Sequence, residues 1–188
     1  MQTLGLADST PRLENRAKLL FWPSVRNETD VDNVTRQGFW ICFVIAVVTL
    51  CVGIFYSPAM FLLLLFQAVF FFLSGVGIRM RSIFAAATAF VVYSADFLVA
   101  GFSIFRVIGC ILLLANLRGT WLSWRWRSTQ TEPPPVPLNG GFDDKLSDQL
   151  PIAIWPIGRF FYYVVAAIDL ALVLMGAAST FLKLPKAP

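Results

Sequence analysis

Residues 112–127, LLLANLRGTWLSWRWR, decide how this chain is read. An apolar run stops at Arg118, and tryptophan and arginine follow at once. Trp121, Trp124 and Trp126 carry amphipathic rings of the kind that settle among lipid headgroups. Arg118, Arg125 and Arg127 carry the charge that stays on the cytoplasmic side of a bacterial-type membrane. One face of a bilayer is therefore written here, and the other segments are oriented against it.

Composition agrees. Of 188 residues 57% are hydrophobic, with a mean hydropathy of +0.71, where soluble proteins hold about 45–50% apolar residues. Charged residues make up 14%, too few to cover a water-soluble globule. The net charge of +4 is spread along the flanks of apolar runs, which argues for topological charge and against nucleic acid. Cys42, Cys51 and Cys110 all lie in apolar runs and read as small hydrophobes, with no disulfide or metal spacing. Histidine is absent, which removes the commonest metal ligand and histidine-based acid–base chemistry.

The spacing predicts an all-α polytopic transmembrane bundle, four core helices plus a C-terminal fifth. Residues 1–36 form a cytoplasmic segment without a signal peptide. Ser9-Thr10-Pro11 starts a short helix, lying on the cytoplasmic leaflet or solvated and packed on the protein itself, that ends at Trp22-Pro23, and a second start signal falls at residues 27–30. The four-helix core covers 37–124, with spans over about 38–55, 59–78, 82–101 and 102–124, each near the roughly 20 residues that cross a bilayer. Residues 125–155 read as a cytoplasmic linker: a proline-rich spacer, a flexible Asn139-Gly140-Gly141 turn and a short amphipathic helix over 142–150. Trp155-Pro156 marks the return to lipid. The fifth helix lies within 156–182, its span beginning near Phe160, and 183–188 is a tail.

With a cytoplasmic N-terminus, the inside carries Arg12, Arg16, Lys18, Arg26, Arg36, Arg79, Arg81, Arg118, Arg125, Arg127, Lys145 and Arg159. The outside keeps Arg106, Lys183 and Lys186. Twelve against three sets the orientation by the positive-inside rule and points to a bacterial inner membrane.

Asp96 and Asp169 are the carboxylates within the spans, and a charge at that depth marks function by default. Asp96 and Arg106 stand five residues either side of Gly101, so we expect an ion pair at one depth. Asp169 has no such evident partner; pairing with Tyr93, Asn116, Gln67 or a neighbouring protein, or a carboxyl kept protonated by burial, are the options. Enzyme templates fail. Ser94 and Ser123 lack a histidine, no lysine stands near a suitable serine, and Gly75-Val76-Gly77-Ile78 lacks the rest of a phosphate loop. Asp143-Asp144 reads as a helix cap before it reads as a metal pair. No catalytic, cofactor or metal site is expected.

Trp22-Pro23-Ser24, Arg36-Gln37-Gly38-Phe39-Trp40, Gly77-Ile78-Arg79-Met80-Arg81-Ser82 and Leu117-Arg118-Gly119-Thr120 occur in that order. Together they resemble a set of small bacterial membrane proteins with four core helices, over about residues 20–120. The resemblance implies a four-helix membrane domain and no assigned activity. Members often carry an aromatic residue or histidine after Arg-Gly-Thr, where this chain has Trp121 and no histidine. The leading functional expectation is a non-enzymatic accessory or scaffold subunit, with lipid as its surroundings and another membrane protein docked through the C-terminal helix. The alternative is a small transporter or channel using Asp96 and Asp169.

Overall fold

The computed structural model describes residues 21–23, 28–55, 58–100, 103–127 and 145–183. Five α-helices result, and the described residues contain no strand: α1 Glu28–Ile54, α2 Pro58–Arg79, α3 Ile83–Ala100, α4 Ile104–Arg127 and α5 Leu150–Lys183, the last led in by a π-helical turn, Lys145–Gln149. Helix is the form in which every interior backbone group is satisfied within its own segment, which is what lipid demands. Four helices hold stretches long and apolar enough to cross a membrane, Asp30–Ile54, Met60–Arg79, Ile104–Arg125 and Leu150–Gly176. In α3 the described apolar run, Ile83–Asp96, is shorter. The chain is thus a multi-pass membrane protein of helical-bundle type.

α1 packs on α2, α2 on α3, α3 on α4 and α4 back on α1, closing a ring of four. α5 seats outside that ring, against α2 and α3. The core runs through Cys42, Phe70, Phe71, Ile78, Ala85, Ala89, Leu113, Tyr162 and Val165, all 1% exposed or less. The flanks left over, such as Val48, Leu62, Phe105 and Phe160, are exposed large apolar side chains suited to lipid.

Three boundaries differ from the sequence expectation. α1 starts at Glu28 and runs unbroken into the span expected near residue 38. Acidic side chains suit that N-terminus, and Val31, Val34 and Thr35 of the added turns are buried. Of the separate helix expected over 142–150, the described residues Lys145–Gln149 form a π-helical turn that runs directly into α5. The linker boundary expected at 155 falls inside that same helix, which continues through Pro156. Pro151 sits in the first turn, where a missing N–H costs nothing. Pro156 forfeits a hydrogen bond, a loss of about 3 kcal/mol in a water-exposed helix. Here Trp155 beside it packs on α2 and α5's own Tyr162, with ring centroids 5.8 Å apart, and holds the segment in place. The expected N-terminal surface helix, the proline spacer and the Asn139–Gly141 turn lie outside the described residues, apart from the helical Phe21 and the break at Trp22-Pro23.

At 34 residues α5 extends about 51 Å, well beyond a hydrocarbon core of about 30 Å. Close approach of the helices depends on missing side chains. A Cβ on Gly77 would stand 2.5 Å from Ala85 Cβ and 2.6 Å from the Trp155 ring, so α3 and α5 both press on α2 there. A Cβ on Gly119 would meet Val34 at 2.6 Å. The α2–α3 turn closes with Arg81 N–H donating to Ile78 O and Ser82 N–H to Gly77 O, both 2.9 Å. That pair of bonds requires a left-handed residue at position 81, and Arg81 supplies it at φ 58°. Glycine is the usual occupant; an arginine there costs about 1–2 kcal/mol.

Two outcomes follow for thermal unfolding in detergent. Gly77→Val lowers stability by about 1–3 kcal/mol through overpacking, whereas Gly176→Ala, whose Cβ meets nothing within 4 Å, does not lower it. Arg81→Gly raises stability by about 1 kcal/mol, and Arg81→Val lowers it.

Candidate intramembrane polar site

The α2–α3–α5 interface carries its polar residues in layers. In the first, Tyr162 of α5 is 0% exposed and its hydroxyl meets Thr88 of α3, with Ser74 of α2 at 3.3 Å. Ser74 Oγ also lies 2.8 Å from Phe70 O, and Thr88 donates to Phe84 O at 2.8 Å. Every hydroxyl of this layer is therefore satisfied within the protein. Phe70 stacks on Tyr162 with ring centroids 5.8 Å apart.

The second layer lies seven or eight residues further along each helix, at Gln67, Asp96 and Asp169. Two turns of helix place it about 10–12 Å away, towards the end distal to the arginines. Gln67 Nε2 donates to Asp96 Oδ2 across α2 and α3. Asp169 is 7% exposed, and its buried Oδ2 accepts no hydrogen bond from the described residues. The two carboxylates lie within electrostatic reach of one another. Arg106 of α4 acts through its charge on both Asp96 and Tyr93. Tyr93 fills the space over Gly109, where a Cβ would stand 2.5 Å from its hydroxyl, and packs edge-on to Phe71. Between the layers the interior is dry: Phe70, Phe71, Ala89, Val92, Val165 and Ala166 are at most 2% exposed.

These positions rearrange the expected pairs. Gln67, considered as a partner for Asp169, bonds Asp96 instead. Asp169, without an evident partner in the sequence, comes within electrostatic reach of Asp96 because α5 packs on α2 and α3. Asn116 is elsewhere, 1% exposed between α4 and α1; it donates to Leu112 O at 2.9 Å and lies against Gly38.

The topology arginines do more than mark a face. Arg79 ends α2 and reaches Asp32 of α1 through both ends of its fork, Nη1 to Oδ1 at 2.5 Å and Nη2 to Oδ2 at 3.3 Å. Nη1 also donates to Thr35 Oγ1 at 3.0 Å, and Nε donates to Ser147 O at 3.2 Å in the turn that begins α5. One guanidinium thus joins α1, α2 and the start of α5. Arg118 lies 4.9 Å over the Trp22 ring and donates to Pro23 O at 3.3 Å, which fixes the N-terminal segment to α4. Trp121, Trp124 and Arg125 are exposed, as headgroup contact requires, and the Arg127 side chain lies outside the described residues.

Sequence reasoning missed Asp32, Ser74, Thr88 and Tyr162. The signal for the last was present: Trp155, Tyr162 and Asp169 repeat every seven residues, a packing stripe along α5. Among the described residues no three His, Cys, Asp or Glu side chains gather as a metal site. No protein-family model, curated protein or solved structure matches the chain.

Arg79→Ala is expected to lower stability by about 1–3 kcal/mol and to expose the chain ahead of α5 to protease. Arg79→Lys keeps the charge but not the fork, so it recovers less than half of that loss. A lysine variant as stable as wild type contradicts the role given to the fork.

Proposed function

We propose that this protein handles a positively charged ion or proton in the membrane, as a small transporter or channel whose working groups are Asp96 and Asp169. One observation carries the proposal: a buried carboxylate oxygen of Asp169 that accepts no hydrogen bond from the described residues, within electrostatic reach of a second carboxylate. Buried polar atoms are nearly always paired, and an unpaired one at membrane depth calls for a functional explanation. The sequence alone favoured an accessory subunit, on the grounds that a helix behind a proline spacer is free to dock elsewhere. α5 packs on α2 and α3 of its own chain, which weakens that ground and favours the carboxylate reading. The dry zone below the carboxylates means that passage requires movement of α5 and does not follow a standing pore.

The accessory-subunit reading is second, supported by the exposed α5 flank at Ile157, Phe160 and Phe161, which another membrane protein would cover. We further propose a bacterial inner membrane with a cytoplasmic N-terminus, on the arginine count, no enzymatic role, and kinship with the small four-core-helix membrane proteins. The last is supported by the convergence of the quoted motifs at one end, where Gly38, Gly77 and Gly119 allow close contact and Arg79 and Arg118 tie segments together.

Reconstituted vesicles test the leading reading. Wild type is expected to pass protons or monovalent cations above the protein-free background, and Asp169→Asn and Asp96→Asn to lose most of that flux. Equal flux in wild type and Asp169→Asn removes the proposal.

A further inference from the structure

Resting on that reading, we infer that the two carboxylates divide their labour: Asp169 binds a single exchangeable proton, while Asp96 stays ionised as its fixed counter-charge. The groups around the site set the charge. From α3 come Asp96 and Tyr93, and from α4 comes Arg106, which acts on both. α2 offers no ionisable side chain between Pro58 and Arg79, only Gln67. On α5 itself the nearest ionisable neighbours are Arg159, Tyr162 and Tyr163, two to three turns away. Two carboxylates and one guanidinium leave one negative charge, so a single positive charge neutralises the site.

The donors decide where that charge goes. Gln67 presents an N–H to Asp96 Oδ2, and an N–H donor stabilises an ionised oxygen. Asp169 Oδ2 receives no such donor from the described residues. A bare carboxylate buried there would be an uncompensated charge, whereas a carboxyl group is neutral. One turn before Asp169 on α5, Val165 and Ala166 are buried at 1% and 0% exposure. A metal cation fits poorly. Hard cations collect on the order of six oxygens, and this layer offers two carboxylates and an amide whose N–H already faces Asp96. A proton needs one oxygen. Uptake forms one O–H bond on the Asp169 carboxylate and breaks one in the hydronium that delivers it, leaving water. Phe70, Phe71 and the satisfied Tyr162 layer close the route towards the arginine end, so exchange is from the distal side.

Dicyclohexylcarbodiimide is the probe, because it adds to protonated carboxyls in apolar surroundings. The carboxyl proton moves to a carbodiimide nitrogen, the carboxylate oxygen joins the central carbon, and rearrangement leaves a stable N-acylurea of added mass. The full chain in liposomes is labelled in mildly acidic to mildly alkaline buffers, with sodium or choline as the salt, and mapped by mass spectrometry. One adduct is expected, on Asp169, falling about tenfold per pH unit once the carboxyl ionises and indifferent to sodium. Asp169→Asn abolishes it, while Asp96→Asn, which removes the second negative charge, keeps the adduct on Asp169 but confines it to more acidic buffers. Labelling confined to Asp96, no labelling at any pH, or protection by sodium overturns the inference. The same liposomes report flux: labelled Asp169 without flux keeps the proton site and removes the transport reading. Flux with Asp169 unlabelled keeps transport and removes the proton site.

Discussion

The hydroxyl of Tyr162, held between Ser74 and Thr88, is the interaction on which the rest of this bundle depends. Lipid tails are as apolar as leucine, so no hydrophobic force presses α5 onto the ring; close packing and interhelical hydrogen bonds must do it. Such a bond contributes only about 0.6 kcal/mol on average in membrane proteins, but it is directional. It sets the rotation and height of α5. One heptad below, Trp155 drops onto Gly77; one heptad above, Asp169 comes within electrostatic reach of Asp96. Displace that register by a turn and the tryptophan meets a side chain, while the aspartate loses its counterpart.

The arginine end sets a charged residue against backbone preference. Position 81 has the geometry of a glycine and is filled by arginine, a residue type suited to the flank of a membrane span. Arg79, two residues earlier, answers to a different need. At the C-terminus of α2 it complements the helix dipole, and its planar fork bonds α1 and the start of α5. Charges that look equivalent as topology markers are therefore unlike in the folded chain.

Much of the fold was legible from apolar run lengths, because a bilayer of fixed thickness converts composition directly into spans. Helix ends were less so. Asn27-Glu28-Thr29-Asp30 was recognisable as a start signal, but nothing local says that the helix continues into lipid at Gly38. Trp155-Pro156 looked like a boundary because proline ordinarily breaks helices; tertiary packing of Trp155 overrides that preference. The carboxylates at 96 and 169 stood out by depth alone. Their meeting did not, since it depends on where α5 docks, and a proline-rich spacer carries no information about that. Gln67 was visible as a polar residue in a span but not as the partner of Asp96, 29 residues away, and Asp32 was hidden because it is ordinary in its own helix and acquires its role from a partner 47 residues away.

The seat of α5 is tested most directly by placing a photoreactive benzoylphenylalanine at position 162, illuminating the full chain in membranes, and mapping the adducts by mass spectrometry. The structure predicts cross-links within the same chain, to residues around Ser74 on α2 and Thr88 on α3, while the same group at Phe161 on the exposed flank reacts with lipid. Adducts from position 162 confined to lipid or to a second chain would contradict the account.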